Sequence, residues 1–460
     1  MADISEKNVS NKAVLLVSIL ASFVTPLITT SIPIALPSIV KEFSMEAILS
    51  GWVATSFTLA TAALMVPIGR IADIYGRRKI FTYGILLFTV SSFLCAISKS
   101  ATFLISFIVI QGIGAAMTWG PNVAIITSAF PAEKRGRALG INTAAIYLGL
   151  SLGPFWGGLL TQHLGWRYIF FFTPILSVAV AILAFWKLKG EWAEARGERL
   201  DITGSIILSI SLILTMYGFT VLLTIRGIVL VFLGLLGILA FVRFESKTKS
   251  PVLNVSLFRN NRVFIFSNLA ALIHYCANFA APFLLSLYLQ YNKGFSPQTA
   301  GLILVVQPAV MAIFAPIAGR LSDKIEPVKL ASIGMGATCL ALVLLSFLTQ
   351  DSDIKFIIVN LALIGFGIGF FATPNTNAVM SSVERKFFGV ASGTIATMRH
   401  SGQVLSMGIA MILFAIYIGK AQITPEYYPA FLASSKTAFI IFAALCFGGI
   451  FASLARGKVR

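Results

Sequence analysis

Fourteen times along its 460 residues the chain runs through about twenty or more mostly apolar residues before charge interrupts it. Each run is long enough for an α-helix, rising about 1.5 Å per residue, to cross a hydrocarbon layer of about 30 Å. Within hydrocarbon every backbone N–H and C=O must find its partner inside the segment. Repeated runs of this length therefore point to an all-α, polytopic membrane protein. The expected limits are 13–40, 47–70, 79–98, 103–129, 137–162, 167–188, 202–224, 227–244, 263–290, 298–319, 328–348, 355–380, 388–418 and 435–455. The seventh and eighth runs are split only at Arg226-Gly227, and the fifth and sixth around Leu164-Gly165-Trp166-Arg167. The first run is too long for the apolar part of a signal peptide, and no small-residue cleavage site bounds it.

Charge follows the same plan. Only 11% of residues are charged, against about 25% in soluble domains. The net charge of +18 would suggest nucleic acid in a soluble chain. Here the basic residues are confined to short loops, so the charge reports topology and no nucleic-acid partner is expected. With the N-terminus in the cytoplasm, cytoplasmic segments hold 26 Lys and Arg and external loops hold 8. That bias places both termini in the cytoplasm. The 38 Phe suit lipid-facing surfaces, and the 37 Gly suit close helix contact. Cys95, Cys276, Cys339 and Cys446 lie in apolar stretches without metal-site spacing and read as packing residues.

The chain also repeats itself. Gly69-Arg70-Ile71-Ala72-Asp73 returns as Gly319-Arg320-Leu321-Ser322-Asp323, and Pro121-Asn122 returns as Pro374-Asn375. Gly136, Ala138, Gly140 and Gly149 return as Gly389, Ala391, Gly393 and Gly402. Three matches in order at a nearly constant offset indicate duplication. They divide the chain into a six-helix bundle over 1–189, two inserted helices over 190–250, and a second six-helix bundle over 251–460. Parallel halves of this kind are found in secondary transporters, with the binding site between them.

Two motifs add detail. The turn after the second segment reads Gly69-Arg70-Ile71-Ala72-Asp73-Ile74-Tyr75-Gly76-Arg77-Arg78-Lys79. Its glycines allow a tight turn, and an acid beside basic residues can bond a neighbouring helix end and release it. The fifth segment carries Gly149, Gly153, Pro154, Gly157 and Gly158. Small residues four apart let two backbones meet, and proline bends the axis.

The loop motif and its second copy resemble the signature of the major facilitator superfamily. The resemblance implies a conformational latch at Gly69, Asp73, Gly76, Arg77, Arg78, Gly319 and Asp323. The fifth segment is similar to the antiporter signature of drug-exporting members, implying a hinge and dry seal at Gly149, Gly153, Pro154, Gly157 and Gly158. Asp201-Ile202-Thr203-Gly204-Ser205, Leu257-Phe258-Arg259, and Gly389-Val390-Ala391-Ser392-Gly393 with Arg399 resemble the fourteen-helix drug:proton antiporter branch. The resemblance spans essentially the whole chain. It implies a major facilitator fold and a monomeric secondary active transporter, an exporter of amphipathic or drug-like molecules by alternating access. Its partners would be the lipid bilayer, a small-molecule substrate and a coupling ion such as a proton. The expected location is a prokaryotic cytoplasmic membrane.

The chain departs from that branch at two places. An acid expected before Ala35-Leu36-Pro37 is Ile28, and an arginine expected before Gln111-Gly112 is Ile108. None of the 17 Asp and Glu falls deep within a segment. The coupling candidates are then His274, Arg399 and His400, each of which could equally be a structural hydrogen-bonding group. The cavity helices of the fold correspond to segments 1, 4, 9 and 12. Their polar and aromatic candidates are Thr29, Thr30, Gln111, Trp119, Asn122, His274, Tyr275, Asn278, Asn375 and Asn377. Together they suggest a largely apolar cavity without an anionic lining, open to neutral or anionic cargo. A uniporter or differently coupled exchanger is the first rival, and a non-transporting receptor or scaffold the second. With no phosphate-binding loop, metal-spaced ligands or acid pair, neither an enzyme nor a cofactor or metal is expected.

Overall fold

The computed structural model describes residues 11–457 apart from 131, 189–190, 194, 249–250, 253–260, 323, 384–387 and 420. Asp323 and Leu257-Phe258-Arg259 lie outside the described residues. The helices are α1 (Asn11–Phe43), α2 (Ala47–Tyr75), α3 (Arg77–Ala96), α4 (Ala101–Ala129), α5 (Ala132–His163), α6 (Arg167–Lys187), α7 (Ile202–Thr220) and α8 (Ile225–Glu245). They continue as α9 (Arg262–Asn278), α10 (Ala280–Leu287), α11 (Pro297–Leu304), α12 (Val306–Ser322), α13 (Pro327–Leu345), α14 (Ile354–Ser381), α15 (Phe388–Tyr417) and α16 (Tyr428–Ala455). No strand occurs among the described residues. Joined across their breaks, these helices make fourteen spans long and apolar enough to cross a membrane. Large apolar side chains face outward: Phe185, Trp186, Phe232, Leu239, Phe347 and Phe451 are 59–69% exposed. Such a belt is stable only against lipid.

The ninth and tenth runs, expected as unbroken helices, are each interrupted. α9 ends at Asn278 and α11 at Leu304, each four residues before a proline, Pro282 and Pro308. Proline has no N–H for the carbonyl four residues back, and its ring crowds that carbonyl. Beside the first break the Ala280 amide bonds the Ser406 hydroxyl at 3.0 Å. A π turn at Tyr288–Asn292 closes the ninth span. The seventh and eighth runs also part differently from the expected Arg226-Gly227. Thr224 caps α8 by accepting from the Gly227 amide at 3.1 Å, which draws Arg226 and Gly227 into its first turn.

An even number of spans returns the chain to the face on which it began, called here the terminal face; the other is the distal face. α1 to α6 pack together, as do the six spans from α9 to α16, while α7 and α8 pair and α7 reaches α2 and α15. Between the two sets of six, α2 runs along α15, and α5 along α11 and α12. The bonds joining the sets cluster toward the distal face. Ser286 donates to the Pro33 carbonyl at 2.8 Å and Gln290 to that of Ile34 at 3.1 Å. The Ala47 amide reaches the Ala421 carbonyl at 3.2 Å, and the Gln298 amide reaches the Gln162 side chain at 3.3 Å.

Candidate functional site

The glycines of α5 divide by face. A Cβ on Gly149 would lie 2.4 Å from the Phe23 carbonyl oxygen, and one on Gly157 2.7 Å from the Ser31 Cβ. A Cβ on Gly153 would overlap the Thr30 hydroxyl. These three let α1 lie against α5, where Ser31 donates to the Gly153 carbonyl at 2.7 Å. Gly158 and Pro154 face the other set. A Cβ on Gly158 would sit 2.5 Å from the Pro297 oxygen. The Pro154 oxygen is itself met closely by Gly301 of α11. One helix thus seats two neighbours, one from its own set and one from the other.

At the terminal face Gly76 takes φ +116° between α2 and α3, a conformation that favours glycine. Arg77 pairs with Asp73 at 2.7 Å and donates to Ser128 at 2.9 Å. Arg78 donates to the Phe185 carbonyl at 3.1 Å. Sequence reasoning missed what covers this turn. Described residues of the connector after α6 lie across it, with the Arg77 amide on the Trp192 carbonyl at 2.9 Å and the Ala195 amide on the Asp73 carbonyl at 3.1 Å. Glu191 accepts from the Arg78 amide at 3.0 Å, and Glu198 pairs with Arg70 at 2.5 Å. The sequence signal was a run of acids, Glu191, Glu194, Glu198 and Asp201, interleaved with the basic residues of the connector. In the second copy, Gly319 ends near Thr373, and Asn377 donates to Ser322 at 3.1 Å.

The repeated asparagines make matching bonds. Asn122 on α4 donates to Ser22 at 2.8 Å and to the Ser18 carbonyl at 3.4 Å, both on α1. Asn375 on α14 donates to the Ser267 carbonyl on α9 at 3.1 Å. Its Oδ1 accepts from Arg456 at 2.8 Å. That arginine, just beyond α16, is also buried and was not singled out from the sequence; burial draws its guanidinium down to about 10. Asn278 donates to the His274 carbonyl one turn back at 2.5 Å. Gln111 is fully buried in α4 with both amide atoms unbonded. Thr29 and Thr30 donate to the Pro26 carbonyl. These residues brace single sets of helices.

A different group meets between the sets. Trp119 of α4 stacks on His400 of α15 with centroids 5.3 Å apart, and Phe57 of α2 lies edge-on to the indole at 6.4 Å. His400 bonds Gln403 at 2.9 Å. One residue earlier, Arg399 lies 5.9 Å over the Tyr275 ring of α9. Tyr147 of α5, absent from the sequence candidates, has its hydroxyl near Thr373 of α14 and within electrostatic range of Tyr275 and Arg399. His274 is fully buried behind this cluster, 4.1 Å from Phe371, with neither ring nitrogen bonded. Ile28 and Ile108 are 2% and 0% exposed and belong to one apolar core. The places of the expected charged partners are closed by hydrocarbon. Among the described residues no group of His, Cys, Asp and Glu could hold a metal.

The family model described as Major Facilitator Superfamily matches residues 18–406 and again 267–458. The riboflavin transporter RibZ of Clostridioides difficile is 28% identical over 440 residues, 95% of each chain. The multidrug resistance protein Stp of Mycobacterium tuberculosis is 29% identical over 398 residues, 84% of this chain and 72% of that one. A crystal structure of the peptide transporter POT in complex with sulfate superposes with a TM-score of 0.71 at 12% identity, over 95% and 94% of the two chains.

Proposed function

Since the chain belongs to the Major Facilitator Superfamily and is a secondary membrane transporter, we propose that it exports amphipathic, drug-like molecules with an aromatic body by alternating access. The observation that carries this reading is the ring of aromatic and polar side chains between the two sets of six spans. Trp119, Phe57 and Tyr147 come from the first set, and Tyr275, Arg399 and His400 from the second. Both a riboflavin transporter and a multidrug resistance protein among the relatives handle cargo by the names they carry, which fits an aromatic site.

In this reading residues 1–189 and 251–460 rock as two bundles, with 190–250 inserted between them. The excess of Lys and Arg puts the terminal face, with both termini, in the cytoplasm. The conformer seen here is then sealed outside by the Gly158–Pro297 and Gly301–Pro154 contacts. The α2–α3 turn, with Asp73, Arg77, Arg78 and the connector over it, acts as the latch of the first bundle. Gly319 and its neighbours serve the second. One chain supplies the whole site, so the transporting unit is a monomer in a bacterial cytoplasmic membrane.

Proton antiport through His274, Arg399 or His400 is one mode of coupling. Uniport is a second, favoured by the packed Ile28 and Ile108. Flux of aromatic compounds into proteoliposomes, with and without an imposed pH gradient, tests both. Substrate-dependent flux is expected. Flux that ignores the gradient removes the antiporter label, and no flux of any aromatic compound overturns the reading.

A further inference from the structure

Arg399 lies deep inside an apolar segment. It sits eleven residues into α15, about 16 Å along the axis at 1.5 Å per residue. A cation at such depth is costly, and membrane proteins keep one there only with a partner or a task. Among the described residues no carboxylate meets it: each Asp and Glu there lies in a loop or an end turn of a helix. The guanidinium Nε is buried and unbonded, and the nearby protein groups are the Tyr275 ring, the Tyr147 hydroxyl and the ring of His400. A ring face attracts a cation but leaves its N–H donors unused.

The surroundings define the rest of the ligand. Arg399 and His400 are consecutive on one helix and so face about 100° apart. His400 holds the Trp119 indole, and Arg399 lies over the Tyr275 ring within electrostatic range of Tyr147. A flat ring could replace either member of the Trp119–His400 stack while an acid carried on it met the guanidinium of the adjacent residue. We infer that Arg399 recognises an acid on the cargo, and that this transporter carries planar aromatic molecules bearing one fixed negative charge. The inference rests on the transport reading above and narrows its substrate class.

Three probes of one shape decide it: naphthalene-2-sulfonate, naphthalene-2-sulfonamide and a naphthyl-trimethylammonium ion. Purified full-length protein in liposomes, clamped at zero membrane potential, is assayed for uptake of each, less the leak into protein-free vesicles. The sulfonate is expected to move at least about tenfold faster than the other two, the range of one charge-assisted hydrogen bond. Arg399→Gln should erase that ratio and Arg399→Lys should keep part of it. Each ratio is read within one preparation, so loss of folded protein does not disguise it, and the wild-type ratio stands even where Arg399→Gln fails to fold. A faster sulfonamide or cation, or an Arg399→Gln protein that retains the preference, overturns the inference and leaves the transport reading intact. If none of the three moves, the aromatic-cargo reading itself falls and takes the inference with it.

Discussion

Gly158→Ala separates the stability of this fold from the balance between its conformers. The new methyl would stand 2.5 Å from the Pro297 oxygen and 2.9 Å from the Gln298 Cα. Both are backbone atoms, which cannot rotate away, and ordinary contact needs nearly 1 Å more. Relieving such an overlap costs about 1–3 kcal/mol. The gain of about 1 kcal/mol in helix propensity from Gly to Ala applies in every conformer and cancels from the comparison. Because Gly158 meets the other set of spans, the clash exists only while the distal face is closed. The equilibrium should move toward distal opening by about 5- to 150-fold. Gly149→Ala is the control: its clash, 2.4 Å from the Phe23 oxygen, is with α1 of the same set and persists as the bundle rocks. It should lower thermal stability without shifting the balance. Spin labels at Lys99, in the loop after α3, and Lys355, in the first turn of α14, both exposed at the distal face, report the change by double electron–electron resonance. Longer distances are expected for Gly158→Ala alone. Unchanged distances for it, or equal shifts for both variants, would refute the division of α5 into two faces.

Two further substitutions test the bracing elsewhere. Gly76→Ala meets both a φ of +116° and the Glu191 carboxylate 2.4 Å away, so it should cost about 1–3 kcal/mol; a melting temperature equal to wild type would count against the docked connector. Asn375→Ala should destabilise more than Asn122→Ala, by about 1–3 kcal/mol, because it also strips buried Arg456 of an acceptor; equal melting shifts would contradict that account.

Span number and the internal repeat were legible because both are patterns of residue type. Twenty apolar residues need no partner to be recognised, and Pro121-Asn122 and Pro374-Asn375 carry matching bonds in the folded chain. The helix breaks were legible in principle, since Pro282 and Pro308 are in plain view. Yet Pro26, Pro33, Pro121, Pro154 and Pro374 sit within continuous helices, so proline alone does not fix where a helix stops. The candidate site was half visible. Trp119, Tyr275, Arg399 and His400 stood out as polar or aromatic groups in apolar runs. Tyr147 did not, because its role comes from which face of α5 is turned to the other set. The connector's hold on the α2–α3 turn was hidden for a similar reason: it uses backbone amides and carbonyls, which every sequence has.

The packed isoleucines and the lone arginine bear on what drives transport. Ile28 and Ile108 leave no room for an ionised pair, yet an exporter that accumulates its cargo needs a source of free energy. An anionic cargo supplies one. Bound to Arg399 it makes the occupied site neutral, and the site regains one positive charge when empty. Each outward cycle then moves one negative charge out of the cell. At an inside-negative potential this is favourable by about 2.3 kcal/mol per 100 mV, an accumulation of about 50-fold, with no proton involved. The check uses naphthalene-2-sulfonate in proteoliposomes carrying a potassium gradient and valinomycin. Flux should reverse with the sign of the potential and ignore a pH gradient at zero potential. Should a pH gradient alone drive uphill movement, a titrating group must couple the cycle, and His274 and His400 become the residues to replace first.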